Sequence, residues 1–132
     1  MVVIQSQDLS STRKELQNIE QHAPDDSLIK LGIPGMSASV ETVAAHLSNM
    51  SIVHFACHGI QNRLQPLNSG LKLQDGILYV SRIMKEHMPN GSLAFLSACE
   101  TAMGDENLPD EAMSLAGSLF FCGFRYVVAT MW

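Results

Sequence analysis

The sequence predicts an α/β domain: a mostly parallel sheet with helices on both faces and a small β-hairpin inserted between two of its strands. Three observations carry this expectation. The runs Ser51-Ile52-Val53-His54-Phe55-Ala56-Cys57 and Leu93-Ala94-Phe95-Leu96-Ser97-Ala98 are almost wholly apolar, as strands covered on both faces are. Val40, Val43, Ala44 and Leu47 share one helical face directly before the first run, the helix–strand rhythm of a parallel sheet. Asp75-Gly76 stands between two short alternating runs, a strong hairpin signal.

The elements follow in order. Val2-Val3-Ile4 is a β-branched strand. A helix follows Ser10-Ser11, with Thr12 and Glu15 in the form of a capping box and Leu16 and Ile19 as its apolar stripe. Pro24-Asp25-Asp26 breaks it. Leu28 to Leu31 is expected as a second strand, and Gly32-Ile33-Pro34-Gly35 as a loop. The amphipathic helix from Ser39 ends at Ser48-Asn49, and the strand Ile52 to Cys57 follows at once. Gln61 to Gly70 is a polar loop. Leu71-Lys72-Leu73 and Ile77 to Val80 form the hairpin, an antiparallel flap beside the main sheet. Ser81 is expected to cap a short helix through about His87, and Pro89-Asn90-Gly91 to turn the chain into the strand Leu93 to Ala98. Asn107-Leu108-Pro109-Asp110-Glu111 has the form of a helix start, with proline in the first turn and carboxylates at the positive end of the dipole. Ala112, Leu115, Ala116, Leu119 and Phe120 would be the buried face of that helix, Gly123 its C′ stop, and Tyr126 to Thr130 the last strand. The chain reaches Trp132 directly after that strand, so residues 1–132 are expected to be one domain and a fragment lacking C-terminal elements.

Composition narrows the function. A chain of 132 residues with 46% hydrophobic residues can bury a core and is not disordered. The net charge of −5, from 8 Lys+Arg against 13 Asp+Glu, with no basic cluster, makes nucleic acid a poor partner. No apolar run approaches the ~20 residues that span a bilayer, and Met1-Val2-Val3-Ile4-Gln5 lacks the features of a signal peptide. The expectation is a cytoplasmic chain without a membrane partner. Three cysteines without framework spacing are then free thiols, whose special roles are catalytic or metal-binding. The eight methionines read as core filler.

The two apolar strands end on reactive residue types. The first leads into His58-Gly59 and the second into Cys99-Glu100-Thr101. Ligands in open α/β sheets bind at the carboxyl ends of strands, and neighbouring strands would bring His58 and Cys99 to one edge. Cysteine attacks as thiolate, and an imidazole within ~3 Å that takes its proton makes it competent. Gly59 permits close backbone approach, and its N–H could stabilise an oxyanion. The bland reading, a cysteine buried as a small hydrophobe, stays open on this pattern alone. So does a second reading of Asp110 and Glu111, which suit a helix start but could also meet a basic substrate side chain. Glu100 either lines the site or caps the turn. A zinc site from His54, Cys57, His58 and Cys99 is disfavoured, because alternation in a strand puts His54 and Cys57 on opposite faces and the spacing is not that of zinc ligands. No metal and no cofactor are expected. His54 reads as a core histidine bonded to backbone, Cys57 and Cys122 as structural thiols, and His22, His46 and His87 as solvated helix-end residues.

The stretches Val53-His54-Phe55-Ala56-Cys57-His58-Gly59 and Leu96-Ser97-Ala98-Cys99-Glu100-Thr101-Ala102 resemble the two signature stretches of CHAT domains, caspase-like modules of the clan that includes caspases, separases and gingipains. Pro66-Leu67-Asn68-Ser69-Gly70-Leu71-Lys72-Leu73, Leu108-Pro109-Asp110-Glu111-Ala112 and Gly123 to Trp132 resemble further family segments, so the likeness covers nearly the whole chain. The resemblance implies a caspase-like three-layer α/β sandwich and a cysteine endopeptidase with His58 as the catalytic histidine and Cys99 as the nucleophile. Its substrate would be a protein or peptide, and helical TPR repeats are common regulatory neighbours in the family. The alternative is a caspase-like interaction module that keeps the fold and signals by binding. Family members usually continue past the final tryptophan with an Asp-containing segment and a covering helix.

Overall fold

The structure, a computed structural model, describes residues 1–5, 11–62, 64–97 and 115–129. Along the chain the elements are β1 (Val2–Ile4), α1 (Ser11–Glu20), β2 (Lys30–Leu31), α2 (Val40–Leu47), β3 (Ile52–Ala56), β4 (His58–Ile60), β5 (Gly70–Lys72), β6 (Ile77–Tyr79), α3 (Val80–Ile83), β7 (Leu93–Leu96), α4 (Leu115–Cys122) and β8 (Tyr126–Ala129). Two sheets result: a five-stranded sheet in the order β2-β1-β3-β7-β8, parallel throughout, and a three-stranded antiparallel sheet β4-β5-β6. This is the three-layer, mostly parallel α/β arrangement of the caspase-like fold, with a small antiparallel flap.

The pleat sorts each strand's residues onto two faces. Val3, Val53, Phe55, Ala94 and Leu96 enter the main core with Val43, Ala44 and Leu47 of α2, Val80 and Ile83 of α3, and Leu115, Leu119 and Cys122 of α4. Val2, Ile4 and Ala56 meet Leu16 and Ile19 of α1 on the opposite face. The α1 face is the thinner layer. Ile52, Tyr126 and Val128 are exposed there, whereas Val127 and Ala129 of the same strand pack on the main core. Among the described residues no helix is long and apolar enough to cross a membrane.

Local chemistry explains the boundaries. Ser39 caps α2, its Oγ accepting from the Thr42 N–H at 3.1 Å. Asp75, in the hairpin turn, reaches across to accept from the Val40 N–H at 2.8 Å, so the flap and α2 share an end. Gly123 stops α4 with φ +119°: its N–H bonds to the Phe120 carbonyl and the Phe124 N–H to the Leu119 carbonyl, the paired bonds of a Schellman ending. Gly32 leaves β2 with φ +90°, and a Cβ there would lie 1.9 Å from the Ile4 carbonyl oxygen. Gly32→Ala is therefore expected to lower unfolding stability by about 2 kcal/mol or more, read from the urea midpoint.

Several elements differ from the expectation. The second strand is only Lys30–Leu31, an edge strand whose ladder with β1 is cut short by Gly32; Leu28 and Ile29 precede it. The short helix starts at Val80, not after Ser81, and ends at Ile83. Val80 and Ile83 are fully buried, and the Val80 N–H is taken by the Ser69 carbonyl at 2.7 Å, so core anchoring and not a serine cap fixes its start. In α4 Phe120 is 51% exposed, and Ser118 and Cys122 take the buried positions with Leu115 and Leu119. Thr12 lies inside α1, buried, and Glu15 points into the sheet instead of back to the helix start. His58-Gly59-Ile60 is a third flap strand, where the sequence showed only a hairpin. The expected helix start at Asn107 to Glu111, with Ala112, and Thr130 to Trp132 lie outside the described residues.

Candidate functional site

The carboxyl edge of the sheet is where the candidate chemistry sits. β3 ends at Ala56 and the chain bends at Cys57, whose buried side chain joins the main core. The chain re-emerges as β4, so His58 lies where β3 gives way to the flap. β7 runs beside β3 in parallel, with Phe55 opposite Leu96. The ladder is extended by the Ser97 N–H donating to the Phe55 carbonyl at 2.8 Å. β1 closes on the same edge, the Gln5 N–H donating to the Ala56 carbonyl at 3.0 Å. His58 thus follows the end of β3 by two residues, as the first residue of β4, and Ser97 follows the end of β7 by one.

The flap orients His58. In β4, His58 pairs with Lys72, Gly59 with Leu71 and Ile60 with Gly70. Leu71 is fully buried, so Gly59 stands over the core face, and His58 and Ile60 stand on the outward face with Lys72. His58 and Gly59 are both half-buried, a placement that leaves the imidazole accessible. A hollow of about 720 Å³ is lined by Ile60, Asn62, Asn68, Ile77 and Tyr79 on the flap. A second cavity, of about 650 Å³, opens on the α1 face among Ile19, Ile52, His54, Leu93 and Phe95. His58 lines neither of these two.

The two described thiols do not compete for the role of nucleophile. Burial pushes the Cys57 thiol up to about 12, so it is inert at neutral pH. Burial, with the Glu86 carboxylate, also raises Cys122, whose S–H donates to the Ile83 carbonyl at 3.2 Å. Both are structural. Cys99, Glu100, Asp110 and Glu111 lie outside the described residues.

One cluster was not foreseen. His54 does not bond to backbone: its Nε2 lies 2.9 Å from Glu15 Oε2, and its ring stacks on Phe95, its register partner, at 5.0 Å and 16°. Ser97 Oγ donates to the other oxygen, Glu15 Oε1, at 3.1 Å. A carboxylate only accepts, so the His54 Nε2 carries the proton. The residue types are those of a Ser-His-acid triad, but the carboxylate stands between the other two. The hydroxyl has no imidazole base, and the set is not a nucleophilic site. His54 faces α1 and Cys57 faces the main core, so they share no metal-binding face. Sequence held one hint of this cluster, a glutamate mid-helix facing a histidine strand, and nothing to pair them.

Burial lowers the His54 pKa despite the opposing pull of Glu15. The unfolded chain takes up a proton near the ordinary value of about 6.5 while the folded domain resists until lower pH. The unfolded state therefore binds more protons in that window, and this share of stability is present above pH ~6.5 and is lost as pH falls through it. The drop in melting temperature from pH 7.5 to pH 5 is expected to be smaller in His54→Gln than in the wild type.

No curated protein is detectably similar to the chain. The family model for the CHAT domain matches residues 2–132. With the parallel sheet, the flap and the histidine at the carboxyl edge in view, the match completes the assignment: this chain belongs to the CHAT domain family.

Proposed function

We propose that the chain is a cysteine endopeptidase of caspase-like type, with His58 as general base and Cys99 as nucleophile. The observation that carries the reading is the shared carboxyl edge of β3 and β7. Ser97 is hydrogen-bonded into that edge beside Phe55 and stands two residues before Cys99. Two residues of chain span at most about 7 Å, and this short separation in sequence supports pairing Cys99 with His58. The deep burial of Cys57 and the place of Cys122 in the core favour Cys99 among the three thiols. Family membership supports the same assignment, since CHAT domains are related to caspase-like peptidases.

In the proposed reaction the His58 imidazole takes the thiol proton, the thiolate attacks the scissile carbonyl, and the imidazolium returns the proton to the leaving amine. Water then hydrolyses the acyl-enzyme. The Gly59 N–H is our candidate donor to the oxyanion. The substrate is a protein or peptide, with Glu100, Asp110 and Glu111 as candidate pocket residues. The test is cleavage of a peptide library by the full chain. Cleavage abolished by Cys99→Ala and by His58→Ala supports the peptidase. Cleavage that survives Cys99→Ala would contradict the dyad, and a folded chain that cleaves nothing would favour a binding module.

A further inference from the structure

We infer that Glu15 is a positioning residue for the nucleophile: its carboxylate pins Ser97, at the carboxyl end of β7, to α1 and to β3, two residues before Cys99 in the sequence. The inference rests on the reading of Cys99 as nucleophile. Its observations are independent of that reading.

Glu15 is placed to do this by α1. Leu16 and Ile19 seat the helix on Val2, Ile4 and Ala56, which turns Glu15 toward the sheet between β3 and β7. Each carboxylate oxygen then meets a different strand, Oε2 the His54 Nε2–H at 2.9 Å and Oε1 the Ser97 hydroxyl at 3.1 Å. His54 is itself held flat against Phe95, two residues before Ser97. Ser97 is thus fixed twice, by its N–H to the Phe55 carbonyl and by its hydroxyl to Glu15. The Glu15 and His54 side chains are only 30% and 13% exposed, where a charge-assisted bond is less screened than at the surface. Two donors converge on the two carboxylate oxygens. Glutamine could keep both contacts, its oxygen accepting from His54 and its amide donating to the Ser97 hydroxyl, so only truncation of the side chain breaks them. A nucleophile needs its supporting residues held to within about half an ångström, and Ser97 stands two residues before Cys99 in the sequence.

The test is the iodoacetamide alkylation of Cys99 in the full chain, followed residue by residue by mass spectrometry from pH 5 to 9. Glu15→Ala, Ser97→Ala, the double variant and His58→Ala are compared with the wild type. Continued protection of Cys57 reports that the core is intact. Glu15→Ala and Ser97→Ala are each expected to slow the reaction at neutral pH by roughly threefold to tenfold and to move its pH profile toward the ordinary thiol value of about 8.5. The double variant is expected to be no slower than the slower single one, because both act through one bond. An unchanged rate and profile in Glu15→Ala, or fully additive effects, overturns the inference, whatever His58→Ala does. A Glu15 effect beside an inert His58→Ala would uphold the positioning and count against the dyad alone.

Discussion

Replacing His58 by alanine is expected to cost two to four orders of magnitude in peptide turnover, the range over which a positioned general base acts. The same change is expected to slow simple alkylation of Cys99 only about tenfold. An ordinary thiol with a pKa of about 8.5 is a few per cent thiolate at pH 7, so full ionisation gains about thirtyfold at most. A thiolate of lower pKa is also a weaker nucleophile. Hydrolysis needs more from the imidazole, because the leaving amine must be protonated and the imidazolium is the acid at hand. The gap between the two effects is therefore diagnostic. A histidine that merely packed beside the flap would change both rates alike, through loss of folded protein. The position of His58 argues against that outcome, since it is half-buried on the outward face of β4 while Gly59 and Leu71 hold the core side.

Phe55→Ala is expected to destabilise the domain by about 3–5 kcal/mol. Phe55 is fully buried in β3, flanked by β1 and β7, and it belongs to the main core. Domains of this size unfold with roughly 5–15 kcal/mol, so the variant should sit close to its unfolding threshold. A melting temperature lower by more than about 10 °C is the expected reading. Phe121→Ala supplies the contrast. Phe121 is one residue type with the same volume, but it is 71% exposed, and its loss should change stability by no more than about 0.5 kcal/mol. Equal effects at the two positions would contradict the assignment of the core.

Much of this architecture could be read from the residues. The parallel sheet followed from two strands apolar on both faces, and α2 from the spacing of Val40, Val43, Ala44 and Leu47. Asp75-Gly76 marked the flap turn, where the side chain of Asp75 also ties the flap to α2. What escaped had a common cause: contacts between residues distant in the chain. His58-Gly59-Ile60 carries no strand pattern of its own and becomes β4 because Lys72, Leu71 and Gly70 offer it a ladder. Val80 starts α3 because the Ser69 carbonyl takes its N–H and the core takes its side chain. Phe120 turns outward while Ser118 and Cys122 take the buried positions, the Cys122 thiol donating to the Ile83 carbonyl across the core. For the site, the strand-end position of His58 was legible as a histidine before a glycine. The Glu15–His54–Ser97 cluster was not, since it joins residues 82 positions apart at its extremes.

The most direct measurement is the labelling rate of the folded chain by a peptidyl thiol-reactive probe, with and without His58. A His58–Cys99 dyad requires that the label fall on Cys99 far faster than on Cys57 or Cys122, and that His58→Ala remove most of that advantage while leaving the melting temperature unchanged. Labelling of Cys99 no faster than that of a thiol in the unfolded chain, unaffected by His58→Ala, would contradict it.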